Sequence, residues 1–305
     1  MTVICLPSQD WVDDVGPVGE LEFVAGDLSS VPPRAEEVRA VIPPYMGGFN
    51  HATLGQLPRL ELVQLLTAGY DGLPSAMPKG VVLANAAGVH DSSTAELAVA
   101  LTLAALRGIP EFVRAQQVGQ WLPARYWSAL ADRRVLIVGY GAIGRAVASR
   151  LTPFEVELTA VASQARGGDH LVRSVHGVDE LPTLLPRHDV VIVVVPLTAA
   201  TERLVDDEFL AGMPDGSLLV NVSRGKVADT DALLRHSRRV RIALDVTDPE
   251  PLPSGHPLWS EPGVLISPHT GGATTAFRPR AIRLLREQLG ALAAGRPLLN
   301  VVHRG

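Results

Sequence analysis

The chain has 305 residues, 47% of them hydrophobic and 19% charged, which is long enough for two domains with full cores and too apolar for a disordered chain. A net charge of −5 gives no reason to expect nucleic acid as a partner. The longest apolar stretches, such as residues 97–106, are too short to span a bilayer, and the amino terminus lacks the basic start and long apolar region of a signal peptide.

Cytoplasmic residence is therefore the expectation. Cys5 is the single cysteine, so neither an internal disulfide nor a thiolate metal cluster can form, and no metal site is expected. Short apolar runs at 3–6, 41–42, 62–65 and 81–83 predict strands, and together they fit a small flavodoxin-like domain. Cys5 falls in the first of these runs and reads as a small core residue. A long apolar segment from about Thr94 to Leu106 predicts a largely buried helix leading into a second domain.

In that second part, the run Val135-Leu136-Ile137-Val138 is followed directly by Gly139-Tyr140-Gly141-Ala142-Ile143-Gly144 and a helical stretch. Strand, glycine loop and helix in this order predict a dinucleotide site. Gly139 permits the tight turn, Gly141 lets the backbone approach a pyrophosphate, and Gly144 lets the helix pack closely on the strand. The helix that follows, beginning at Arg145, turns its unpaired N–H groups toward the phosphates, and Ala142 and Ile143 within the loop are expected to bind the cofactor as well. Further strands are predicted at 158–161, 190–195, 218–221, 242–245 and 264–266. They fit a Rossmann doubly wound parallel sheet. A final helix over 279–294 is not followed by another strand-helix unit. The expected domains are 1–93 with 276–305, and 94–275.

Cofactor preference is legible at the end of the second strand of this unit, where an acid about 20 residues in bonds the ribose hydroxyls of NAD. Ala162 occupies that slot, followed by Ser163-Gln164-Ala165-Arg166. Ser163 can donate to a 2′-phosphate and Arg166 can pair with it, so NADP is the expected cofactor and NAD the second choice.

Three polar motifs follow the later strands, where ligands bind in open α/β sheets: Asn221-Val222-Ser223-Arg224-Gly225-Lys226, Asp245-Val246-Thr247-Asp248-Pro249-Glu250-Pro251-Leu252-Pro253 and Ser267-Pro268-His269-Thr270-Gly271-Gly272. Reduction of a 2-oxo acid needs a cation for the carboxylate, a proton donor for the carbonyl oxygen and a hydride source. Arg224 can hold a carboxylate with its planar fork. His269 offers an imidazole, the side chain best suited to proton donation at neutral pH. Glu250 would orient the ring and favour its imidazolium form.

With these motifs the sequence resembles the D-isomer-specific 2-hydroxyacid dehydrogenase family through nearly the whole chain. The likeness includes Thr67-Ala68-Gly69-Tyr70-Asp71, Asn85-Ala86-Ala87-Gly88, and Pro196-Leu197-Thr198 with Thr201. The resemblance implies that Arg224, Glu250 and His269 are catalytic and that Asp245 bonds the nicotinamide carboxamide. Pro196, Thr201, Val222, Ser223 and Gly271 join the glycine loop as cofactor-binding positions. The backbone at Ala68 and Gly69 would hold the substrate carboxylate with Arg224, and the two domains would close over the substrate with Thr94 and Thr275 near the hinges. The loop Pro43-Pro44-Tyr45-Met46-Gly47-Gly48 would face the substrate side chain through Tyr45, and its apolar content points to an uncharged substituent.

The expected activity is an NAD(P)-dependent reduction of a glyoxylate- or hydroxypyruvate-type 2-oxo acid. A phosphite-type dehydrogenase and a non-catalytic, nucleotide-sensing corepressor are the alternatives. By the same resemblance the chain is expected to form a homodimer through an arm at roughly 109–130. That arm carries Phe112, Trp121, Tyr126 and Trp127, and the three rings of Trp121, Tyr126 and Trp127 would be costly to leave in water as one patch.

Overall fold

The computed structural model describes residues 2–305, which divide into two compact units. One comprises the residues up to His90 together with Thr275–Gly305, and the other is Asp91–Thr274. In chain order the first unit contains β1 (Thr2–Leu6), α1 (Gln9–Val15), β2 (Leu21–Ala25), β3 (Val38–Val41), β4 (Leu62–Gln64) and β5 (Val82–Ala84). The second contains α2 (Asp91–Arg107), α3 (Ile109–Gln117), β6 (Arg134–Val138), α4 (Ala142–Leu151), β7 (Glu157–Ala162), β8 (Arg166–Gly167), β9 (Ser174–Gly177) and α5 (Leu181–Leu184). It continues with β10 (Val190–Val193), α6 (Asp207–Gly212), β11 (Leu218–Asn221), α7 (Thr230–His236), β12 (Arg241–Leu244) and β13 (Val264–Ile266). The chain then returns to the first unit as α8 (Phe277–Ala293) and β14 (Val301–Arg304).

The first sheet has the order β14-β5-β4-β3-β1-β2. Its five parallel strands run 2-1-3-4-5, the flavodoxin-like order, and β14 adds an antiparallel edge on β5. Two of these strands were not anticipated. β2 is half-buried along its whole length and carries Glu22 among its apolar residues, so it does not announce itself as a buried strand. β14 follows the helix that the sequence reading took as the last element, and only pairing with β5 makes it a strand. The central strands are buried on both faces: Ile4, Leu6, Leu62 and Leu83 are fully enclosed. Cys5 is buried with them, and that burial, with the charge of Asp27 adding to it, pushes its thiol up to about 12. It stays protonated and inert at neutral pH.

The second sheet has the order β13-β12-β11-β10-β6-β7-β9-β8. All neighbours are parallel except β8, which runs antiparallel to β9. The sequence reading counted six strands here and missed β8 and β9, which are short and carry a single fully apolar residue, Val175. Strand order reverses between β6 and β10, and ligands of open α/β sheets bind at such a switch point, outside the carboxyl ends of the strands. Against one face lie α2 and α4, whose small residues Ala95, Ala98 and Ala148 allow close approach and share a core with Val135, Ile137, Ile192 and Val220. The other face packs Leu136, Val191, Leu219 and Leu244 against Phe209, Leu210 and Leu233.

Candidate active site

The glycine loop follows β6 and opens α4. Gly139 has φ +107, and a Cβ there would lie 2.6 Å from the Val194 carbonyl oxygen; at Gly144 it would lie 2.1 Å from the oxygen of Gly139. At Gly141 a Cβ would meet nothing within 4 Å. The outer two glycines are thus required by the chain's own packing, while the middle one leaves open space at the amino terminus of a ten-residue helix whose N-cap offers no side-chain acceptor. Those are the features that a pyrophosphate needs: room for close approach and unsatisfied N–H groups at the positive end of the dipole. The loop fits a dinucleotide cofactor, which Gly139, Gly141, Ala142, Ile143 and Gly144 would hold. Gly144→Ala is expected to push α4 off β6, lowering stability by about 1–3 kcal/mol and Tm by several degrees, with weaker NADPH binding in a fluorescence titration. An unchanged Tm and affinity would show that the helix is free to move away.

Tyr140, between the glycines, turns inward. It is 4% exposed, and its hydroxyl donates to the Asp169 carboxylate at 3.1 Å. Burial, followed by this contact, pushes the phenol up to about 12. Asp169 in turn is held below the usual carboxylate range, chiefly by the Leu171 N–H, and pairs with Arg145 on α4 at 3.5 Å. Sequence inspection missed this tie because Tyr140 and Asp169 are 29 positions apart.

At the end of β7, Ala162 is followed by exposed Ser163. Arg166, expected to pair with a 2′-phosphate, lies in β8, and its guanidinium donates to the Tyr140 carbonyl at 2.7 Å. That bond holds the side chain beside the glycine loop. After β10, the Thr201 hydroxyl donates to the Pro196 carbonyl at 2.6 Å and accepts from the Thr198 N–H at 2.8 Å, closing a tight turn at the switch point.

The three chemistry-bearing motifs follow β11, β12 and β13. Val222 and Ser223 are buried. Ser223 donates from both its N–H and its hydroxyl to Asn221 Oδ1, at 3.0 and 2.5 Å. Arg224 follows in extended conformation, with Nη1 donating to the Ser223 carbonyl at 2.7 Å. The Thr230 hydroxyl, at the start of α7, donates to the Asp248 carbonyl at 2.6 Å and ties this loop to the one that carries Glu250.

His269 Nδ1 is hydrogen-bonded to Glu250 Oε1. Both side chains are partly exposed, at 45% and 40%, so the pair contributes little to stability and much to orientation. With Nδ1 committed to the carboxylate, Nε2 is the nitrogen left to face a substrate. The His269 backbone has φ +51, a left-handed conformation that costs a non-glycine residue about 1–3 kcal/mol unless its surroundings enforce it.

Asp245 supplies the enforcement. It is 2% exposed, its backbone carbonyl accepts the His269 N–H at 2.7 Å, and its carboxylate accepts from the Ser267 hydroxyl at 2.7 Å, the Thr270 N–H at 2.9 Å and the Gly271 N–H at 2.8 Å. Asp245 and Gly271 are thereby joined to the strained histidine. Ser267, which the sequence reading did not single out, is one of the groups that hold the aspartate.

In the first unit, Ala68 and Gly69 lie on the loop after β4, and Tyr45 lies on the loop after β3, its ring stacked on those of His90 and Phe277. Among the described residues no group of His, Cys, Asp and Glu could hold a metal ion, and no helix is long and apolar enough to cross a membrane.

Comparison with known proteins gives this arrangement its context. The profile of the D-isomer specific 2-hydroxyacid dehydrogenase, NAD binding domain, matches residues 99–271. The chain is 33% identical over 250 residues to a glyoxylate reductase of Thermofilum pendens, covering 78% of this chain and 73% of that protein. It is 32% identical over 248 residues to the human glyoxylate reductase/hydroxypyruvate reductase, covering 78% and 76%. Among solved structures, a D-isomer specific 2-hydroxyacid dehydrogenase of Xanthobacter autotrophicus in complex with NADPH and MES superposes with a TM-score of 0.84 at 29% identity over 99% of this chain and 98% of that one. An NADPH-dependent glyoxylate/hydroxypyruvate reductase of Sinorhizobium meliloti in complex with NADP and malonate gives 0.81 at 26% identity over 100% and 98%. Two doubly wound units, a dinucleotide loop at the switch point, a paired histidine and glutamate, and a profile that spans more than half of the chain lead to one assignment: this protein belongs to the D-isomer-specific 2-hydroxyacid dehydrogenase family of NAD(P)-dependent oxidoreductases.

Proposed function

We propose that the enzyme reduces a small 2-oxo acid of the glyoxylate or hydroxypyruvate type with NADPH, and that Arg224, Glu250 and His269 are its catalytic residues. The observation that carries this reading is the His269–Glu250 pair. It fixes the imidazole through Nδ1 and leaves Nε2 as a proton donor. A nicotinamide cofactor, when held by the glycine loop, would supply the hydride for the carbonyl carbon. His269 Nε2 donates its proton to the carbonyl oxygen, completing the hydroxyl, and Glu250 stabilises the imidazolium from which the proton departs. Arg224 supplies a planar cation suited to the substrate carboxylate, and in the first unit the N–H groups of Ala68 and Gly69 are donors suited to a carboxylate. Asp245 Oδ2 accepts one bond from Gly271 and retains a lone pair for the carboxamide of the cofactor.

Two observations support NADPH. No acid ends β7, where Ala162 stands, and Arg166 is held beside the glycine loop through the Tyr140 carbonyl. The relatives in the glyoxylate reductase group favour a small substrate. The test is NADPH oxidation followed at 340 nm against a panel of 2-oxo acids, with phosphite-driven NAD reduction in parallel. Turnover with phosphite and none with 2-oxo acids would overturn the proposal.

We also propose that the protein is a homodimer joined through the arm after α2. Trp121 and Tyr126 are 96% and 106% exposed and Val118 is 76% exposed, a concentration of apolar surface that monomers seldom leave in water. Trp127 departs from the expectation that all three rings await a partner. It packs edge-on against Phe112 with centroids 5.0 Å apart, and the Arg125 guanidinium lies 3.7 Å from its ring. Light scattering at micromolar concentration is expected to give about twice 32.4 kDa, and Trp121→Asp is expected to halve that mass. A wild-type mass near 32.4 kDa would refute the dimer.

A further inference from the structure

His90 closes the first unit, 5% exposed, and the chemistry described so far does not use it. Its Nε2 lies 2.8 Å from the Leu66 carbonyl oxygen. A carbonyl only accepts, so Nε2 carries the hydrogen and Nδ1 the lone pair. Nδ1 is buried and has no hydrogen-bond partner. An unpaired buried acceptor is unfavourable, and phenylalanine would fill the same space without one. What a phenylalanine lacks is the donor to Leu66.

That donor belongs to a set. Four successive carbonyls are each held by the chain itself: Leu66 by His90, Thr67 by the Ala86 N–H at 2.8 Å, Ala68 by the Asn85 amide at 2.6 Å and Gly69 by the Thr67 hydroxyl at 2.7 Å. With these carbonyls turned inward, the N–H groups of Ala68 and Gly69 donate to no described acceptor, and consecutive unpaired amides make an anion-binding concavity. His90 also touches the Tyr45 loop. Its ring lies nearly parallel to those of Tyr45 and Phe277, with centroids 5.3 Å away in both cases and interplanar angles of 15° and 13°. Tyr45 and Phe277 are themselves 4.2 Å apart.

We propose that His90 is a positioning residue that couples the Ala68–Gly69 amides to the Tyr45 loop, its N–H edge aligning the donors for the substrate carboxylate and its flat face setting the aromatic wall that discriminates substrate side chains. The inference rests on the roles proposed above for Ala68, Gly69 and Tyr45. It divides cleanly between two variants. His90→Phe keeps the stacked ring and removes the donor. His90→Gln keeps a donor near the Nε2 position and removes the ring.

Steady-state kinetics with glyoxylate and with phenylpyruvate, together with NADPH affinity and Tm, test it. His90→Phe is expected to raise KM about 3- to 10-fold for both acids alike, the worth of one hydrogen bond, with kcat and NADPH affinity retained. His90→Gln is expected to change the ratio of kcat/KM between the two acids by about 3-fold or more, with a smaller effect on the KM for glyoxylate. A residue that merely fills the core would give the same pattern in both variants, with Tm, NADPH affinity and kcat moving together; that result, or no change in either KM, overturns the proposal. Arg224→Gln separates this from the reading beneath it. If that variant leaves the KM for both acids unchanged, the carboxylate assignment fails, whereas a raised KM there with an unaffected His90→Phe sinks the positioning role alone.

Discussion

His269→Asn is expected to lower kcat for 2-oxo acid reduction by about 10²- to 10⁴-fold, the range that general acid catalysis contributes. Asparagine cannot deliver a proton to the carbonyl oxygen. It is also the replacement least disturbing to the backbone, because it tolerates the left-handed region that His269 occupies at φ +51. The Asp245 bonds to Ser267, Thr270 and Gly271 do not involve the imidazole and should persist. NADPH affinity and Tm are therefore expected to stay near the wild-type values while turnover collapses. A variant that retained near-wild-type kcat would remove His269 from the chemistry and leave the Glu250 pair as a surface contact.

Ala162→Asp should reverse cofactor preference. In the wild type a higher kcat/KM is expected with NADPH than with NADH. An aspartate at the end of β7 would stand against the 2′-phosphate, a repulsion of about 1–4 kcal/mol for unit charges some 4 Å apart at surface-like to bulk-like dielectric. With NADH the same carboxylate gains bonds to the free ribose hydroxyls, about 1.5–3 kcal/mol for a charged acceptor. The two effects act in the same direction on the ratio, which is expected to swing by about 10²-fold or more. A wild-type enzyme already tenfold better with NADH would contradict the reading of Ala162, Ser163 and Arg166.

The sequence by itself determined the features that depend on near neighbours. The glycine loop was legible because a tight turn, an open approach and a close helix contact all fall within six consecutive residues. The central strands of both sheets were legible because burial on both faces favours near-continuous apolar runs, such as the one before Gly139. The order of Arg224, Glu250 and His269 was readable because each sits just past the carboxyl end of a strand. The tertiary structure alone decided the rest. Strands β8, β9 and β14 carry too few apolar residues to announce themselves, and they exist because an edge is available to pair with. Asp245 is marked in sequence only as a contact of the nicotinamide carboxamide, yet folding also buries it and surrounds it with donors that hold His269 in its strained conformation. Folding likewise decides the surroundings of His90, whose partners Leu66, Tyr45 and Phe277 come from three separate segments. Such groups leave no periodic trace, because a buried polar contact is set by which distant backbone or ring happens to face it, and that is settled only when the sheets are assembled.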